Sequence, residues 1–261
     1  MSKKTSNSKP GGNSPSGLPL LYSKPQMLDS KRHAQSSIIT KDNFSFAKKT
    51  NSLPINTIEF IEAAKTYPIV FTDDENPLPV AMVGMEKYNY FVKPDNTWQE
   101  NTYIPGYVRQ YPFILFENPK AEKFFLCVDE EAPHFSNEAA KDATALFGKD
   151  GKASKFTDNA LKFCTTFYQH HLITRNFCAD LKANKLLQPY QSEVTLASGR
   201  KAQIAGFQMI DEKALNALPN KTYLLFREKG WIPFIYLALA STSNWKNLIA
   251  FEAKATGGIT R

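Results

Sequence analysis

The sequence predicts an α+β fold: a mainly antiparallel or mixed sheet of short strands, with a long helical segment and a C-terminal helix. Three observations predict it. Short apolar runs follow one another between residues 68 and 129, separated by polar or turn-forming residues, as in meandering sheets rather than regular βαβ units. Residues 154–187 contain neither Pro nor Gly and repeat large apolar residues at helical spacing. The closing STSNWKNLIAF (241–251) has the pattern of an amphipathic helix.

Each element has its own signal. Residues 1–17 are mostly Ser, Gly, Lys, Pro and Asn, and read as a disordered basic tail. Residues 18–53 mix short apolar and polar pieces and read as an extended arm. One domain then covers 18–253, followed by a flexible C-terminus at 254–261. Asn56 caps a helix that presents Ile58, Phe60, Ile61 and Ala64, and Pro68 ends it. PIVFT (68–72) is a short buried strand. PVAMVGM (79–85) and YNYFVK (88–93) read as strands joined by a bend at Glu86 and Lys87, and PDNTW (94–98) as a turn. FILF (113–116) and KFFLCVD (123–129) form another pair.

In the long helical segment Phe156, Ala160, Phe163, Phe167 and Leu172 lie near one face, which Phe177 and Leu181 continue; its length predicts a break near 171–174. EVTLA (193–197) and AQIAGFQMI (202–210) flank Ser198, Gly199 and Arg200, a hairpin signal. Asp211 starts a short helix, and residues 222–229 form another that ends at Gly230. WIPFIYLALA (231–240) is a buried strand or a buried helix, which periodicity does not separate.

The net charge of +7 sits at one end. Residues 1–49 hold nine Lys or Arg against two acids, and the remainder is neutral. A globally basic nucleic-acid-binding domain is therefore not indicated, and specific nucleic-acid binding is not expected. A basic arm that touches an anionic polymer or membrane surface is a third, lesser option beside a plain solvated tail. Cys127, Cys164 and Cys178 lie far apart and are odd in number, which points to reduced, buried thiols and a cytoplasmic setting. The N-terminus lacks the apolar core of an ordinary signal peptide, and no apolar run approaches the roughly 20 residues of a bilayer span.

The chemistry-bearing motifs are few. His170 and His171 are adjacent, not one helical turn apart, so no metal site is expected there. No G-x-S-x-G, G-x-x-x-x-G-K-[ST] or G-x-G-x-x-G occurs, and no cofactor is indicated. Cys127 reads as a packing residue. Asp129, Glu130, Glu131 and His134 gather carboxylates around one imidazole, a set that serves acid–base or metal chemistry but also occurs at ordinary strand ends. In YIPGYVRQYPF (103–113) Arg109 sits among Tyr103, Tyr107 and Tyr111. An arginine beside stacked tyrosines holds an anion or a planar ligand. The alternative is that the tyrosines wedge a turn against the sheet while Arg109 pairs with a carboxylate. The candidate ligand-binding residues are thus Tyr107, Arg109, Tyr111, Asp129 and His134, with no catalytic role assigned and enzymatic status open.

YPIVF (67–71), PVAMVGM, NYFV followed by Trp98, YIPGYVRQYPFIL (103–115) and LCVDE (126–130), in this order, resemble the bacterial SapC family. PLLY (19–22), EFIEAAKTYP (59–68) and STSNW (241–245) extend the likeness over about residues 19–251. The chain departs from the family pattern at Gln110, where a second basic residue is usual, and at Leu239, where a polar residue or His is. The resemblance implies a non-enzymatic binding or surface-layer-associated protein, with cell-surface or envelope components as partners. It implies no established reaction, and it allows the cell surface, reached without a cleaved signal, as an alternative location. The competing class is an enzyme or small-molecule binder with a Tyr/Arg-lined pocket around Arg109.

Overall fold

The computed structural model describes residues 17–257 apart from 86, 119–122, 141 and 196–200. The tail up to residue 16, the bend at Glu86 and the turn at 198–200 lie outside the described residues.

The chain opens with three short strands, β1 (Pro25–Met27), β2 (Ser37–Ile39) and β3 (Ser52–Pro54). A 3-10 turn, Thr57–Glu59, leads into α1 (Phe60–Ala63). Next come β4 (Ile69–Thr72), β5 (Pro79–Met82), α2 (Gly106–Arg109), β6 (Phe113–Asn118), β7 (Lys123–Asp129), β8 (Phe135–Ser136) and β9 (Ala143–Ala145). The 29-residue α3 (Lys155–Ala183) precedes the hairpin of β10 (Leu187–Thr195) and β11 (Lys201–Ile210). Four helices close the chain: α4 (Glu212–Asn216), α5 (Asn220–Glu228), α6 (Ile232–Ser241) and α7 (Trp245–Gly257). The last runs past residue 253, where the sequence reading ended the domain.

The strands form a five-stranded sheet, β10-β11-β4-β5-β3, and two three-stranded sheets, β1-β7-β6 and β8-β2-β9. All these pairings are antiparallel, which decides between the antiparallel and mixed readings. The arm is built into the fold, because each of its three strands joins a different sheet.

Several elements follow the sequence signals. The Glu59 carboxylate accepts from the Asn56 backbone N–H at 2.7 Å, fixing the start of α1. Burial there falls on Phe60 and Ala63, whereas Ile58 and Ile61 are 56% and 57% exposed, so the apolar face differs from the expected one. Asp211 accepts from the N–H groups of Lys213 and Ala214 and caps α4. At the end of α5, Gly230 takes φ of 75°, a left-handed conformation that favours glycine.

Two expectations need correction, and one open alternative is decided. Residues 88–93 are not a strand. The Asn89 side chain captures the Phe91 N–H at 2.9 Å, a local bond that competes with a ladder, and both edges of β5 are taken by β3 and β4. Phe91 is instead buried against Tyr67, Trp98 and Phe251. The expected break in α3 is absent. Thr174 donates to the His170 carbonyl at 2.8 Å and accepts from the Thr57 N–H at 2.9 Å, which ties the middle of the helix to the 3-10 turn. Leu172 is exposed and lies off the buried face. Finally, residues 232–241 are helical: Ile235, Ala238 and Ser241 are the buried positions, at a spacing of three.

At about 1.5 Å per residue α3 is roughly 44 Å long, enough to serve two cores. Its C-terminal half contributes Phe177, Cys178 and Leu181 to the main core beside β4 and β5. Its N-terminal half places Cys164 in a second core under β6 and β7. A third small cluster joins Tyr22, Tyr107, Tyr111 and Ala132. The candidate site lies where these clusters meet.

Candidate functional site

The site is organised by the turn that carries α2. A Cβ on Gly106 would lie 3.0 Å from the Phe167 ring and 3.2 Å from a Glu59 oxygen, so the backbone approaches closer than a side chain comfortably allows. In return the Gly106 N–H donates to Glu59 at 2.6 Å, and the Tyr103 hydroxyl donates to the same oxygen at 3.0 Å. Burial pushes the Glu59 carboxyl up, against the pull of the Gly106 and Asn56 N–H groups.

Arg109 leaves α2 toward solvent. Its Nε donates to the Ile104 carbonyl at 3.0 Å and its Nη2 to the Tyr103 hydroxyl at 2.9 Å. The guanidinium carbon lies 5.5 Å from the Tyr103 ring centre and 5.4 Å from that of Phe163. Among the described residues it pairs directly with no carboxylate; it reaches Glu59 through Tyr103. Of the three tyrosines around it in sequence, Tyr103 is the one that contacts it among the described residues.

Tyr107 and Tyr111 face the arm. The Tyr107 hydroxyl donates to the Leu20 carbonyl at 2.7 Å and that of Tyr111 to Asp129 at 3.1 Å. Asp129 is 0% exposed and also accepts from the backbone of Ser23 at 2.9 Å and Lys24 at 2.7 Å. It therefore clasps the arm. Its neighbour Glu130 holds Lys24 and Arg32 in ion pairs of 3.1 and 2.6 Å. The acidic residues thus face the arm, and no described carboxylate is hydrogen-bonded to His134. The expected carboxylate–imidazole set does not assemble.

His134 lies on the other side of Tyr111, edge-on to Phe46 at 5.7 Å and to Tyr111 at 6.2 Å. Phe46 stacks on Tyr111 at 3.9 Å. The His134 Nδ1 is buried without a partner, and burial lowers the imidazole's pKa, so the ring is neutral near pH 7.

These groups border a cavity of about 490 Å³ between the arm, α2 and the first half of α3. Arg109, Tyr111 and His134 line it, with Phe46, Gln110 and Phe163. Tyr107 borders a second cavity of about 290 Å³, and Asp129 lines neither. Gln110 and Cys164 are walls of both cavities. The arm residues 38–46, Gln110 and Cys164 carried no site signal in the sequence. They come from segments far apart in the chain, and only folding brings them together.

Burial raises the Cys164 thiol to about 12, so it stays protonated and is a poor nucleophile. All three cysteines are buried and free. Among the described residues no three His, Cys, Asp or Glu side chains converge as metal ligands, and no helix is long and apolar enough to cross a membrane.

A family model described as SapC matches residues 28–248, most of the chain. No curated protein and no solved structure matches it.

Proposed function

The chain belongs to the SapC family, and from that premise we propose that it is a non-enzymatic binding protein. It takes a small, largely apolar molecule into the cavity beneath the arm, with an acidic or carbonyl end at Arg109. One observation carries this reading: Arg109 stands between the Tyr103 and Phe163 rings at the wall of a 490 Å³ cavity whose lining includes five phenylalanines and Tyr111. That volume lies in the range of small-molecule sites, and a few polar groups in an apolar lining are their usual composition. Binding is favoured over catalysis because the lining offers no activated nucleophile: Cys164 is held as a thiol, and no described carboxylate is hydrogen-bonded to His134.

Two settings fit the reading. Buried free thiols suit the cytoplasm. The family resemblance suits the cell surface or envelope, where the basic residues of 1–49 meet anionic polymers.

The test is thermal stabilisation of the full chain by 3-phenylpropanoate and related aromatic carboxylates. A saturable rise in Tm is expected, abolished in Arg109→Ala and reduced in His134→Ala. A wild type that does not respond, or two variants that respond as the wild type does, would overturn the proposal.

A further inference from the structure

Gln110 is the least explained residue at the site. It is 6% exposed, and its backbone is fully used: its N–H donates to Gly106 at 3.0 Å and its carbonyl accepts from Phe113 at 2.8 Å. Its side-chain amide hydrogen-bonds no described residue, yet its polar atoms are not among those sealed from all space. The residue borders both cavities, standing with Cys164 between them. Tyr107, Val108 and Tyr111 surround it in sequence and all three are buried. A leucine or methionine would suit such a position. The Gln110 amide instead opens onto cavity space, where a ligand's own donor and acceptor would replace water as its partners.

We propose that Gln110 reads a neutral amide group in the middle of the ligand, and that the ligand class is an N-acylated aromatic amino acid or short peptide of that kind. The inference rests on the cavity being a binding site and goes further, because it names what the site selects. The Gln110 amide offers one acceptor and two donors, and an amide in the ligand meets these with its own N–H and carbonyl. A carboxylate at that position would use only the Gln110 NH₂ and leave its carbonyl oxygen without a donor, whereas an amide meets both. The carboxylate end belongs at Arg109, the next residue in the chain and exposed at the wall of the larger cavity. The aromatic side chain then fills the larger cavity among Phe46, Phe113 and Phe163, and the acyl group fills the smaller one beside Phe167 and Leu115. An apolar group on each side of a central amide matches two apolar cavities on each side of one polar residue.

A site built around a buried hydrogen-bonding pair rejects analogues that lack the partner, because its own polar groups are then stranded. The probes are N-hexanoyl-L-phenylalanine, its ester isostere in which oxygen replaces the amide N–H, and 3-phenylpropanoate, which lacks the amide. Affinities are measured by calorimetry on the full chain, wild type, Gln110→Leu, Gln110→Met and Arg109→Ala. The wild type is expected to bind the amide at least tenfold more tightly than the ester. Both Gln110 variants should bring the two within about twofold. Equal affinity of the wild type for amide and ester overturns the inference without any variant being needed. So does an undiminished preference in either Gln110 variant. If 3-phenylpropanoate binds in an Arg109-dependent way and the amide adds nothing, only this inference falls. If no probe binds at all, the binding-site reading falls with it.

Discussion

Replacing Asp129 by Asn tests what the acidic residues after β7 do. The side chain is fully buried and accepts four donors: the backbone of Ser23 at 2.9 Å, Lys24 at 2.7 Å and Glu131 at 3.3 Å, and the Tyr111 hydroxyl at 3.1 Å. An amide keeps one oxygen, so it still satisfies part of this set. Its NH₂ group turns toward donors instead. The Tyr111 hydroxyl can rotate and accept from it, whereas a backbone N–H cannot. The loss is therefore one or two charge-assisted bonds, each about 1.5–3 kcal/mol. Ser23 and Lys24 are exposed residues, so water replaces part of what is lost. The expected destabilisation is about 2–4 kcal/mol, or roughly 4–16 °C in Tm for a chain of this size. Urea unfolding followed by tryptophan fluorescence measures it, and trypsin cleavage at Lys31 and Arg32 reports release of the arm. A change below about 0.5 kcal/mol would falsify the clasp. So would destabilisation without faster cleavage in the arm.

Gly106→Ala adds a methyl against the Phe167 ring and Glu59 and should cost about 1–3 kcal/mol, read as a lower urea midpoint; a neutral result means the turn has more room than its distances imply. His134 and His171 both have lowered pKa values, chiefly from burial, so below pH 6.5 the unfolded chain binds protons that the folded chain refuses. Stability should therefore rise with pH through the window just below 6.5, and His134→Gln should flatten that slope in chemical denaturation at a series of pH values. Glu59 acts in the opposite sense, its raised pKa making stability fall as pH climbs above 4.5, so only the comparison of variant with wild type isolates His134. If the protein works at the envelope, washed membranes should retain it and high salt should release it; recovery only from the soluble fraction removes that setting.

How much was legible depended on whether the deciding contact was local. The pair formed by β6 and β7, the Asp211 cap and the long reach of α3 were readable because neighbours in sequence determine them. Residues 88–93 had strand composition, but one Asn89 side chain diverted the backbone, and composition is blind to that. The helix at 232–241 was ambiguous because nearly every position is apolar. Pro233 near its start was the overlooked cue, since proline suits the first turn of a helix. At the site, Arg109, Tyr111 and His134 were visible as residue types in suggestive company. Their separation from Asp129 and Tyr107 was not, since that follows from which side of Tyr111 each segment passes. Gln110 drew notice only as a departure from the family pattern; its burial without a partner is a property of the fold alone.

The arm's distribution over three sheets also shapes how the protein is made. Ser23 and its partner Asp129 are 106 residues apart. At 5–20 residues per second, the arm leaves the ribosome roughly 5–20 s before that partner exists. β2 waits about as long, since its neighbours β8 and β9 lie a similar distance further along the chain. For that interval the arm is a set of unpaired strand edges, the kind of segment that recruits other chains. Its composition is suited to the wait: Lys24, Lys31 and Arg32 flank the strands, and Pro25 opens the first. Lys24 and Arg32 later close on Glu130, so residues that keep the nascent arm apart become part of the lock that fastens it.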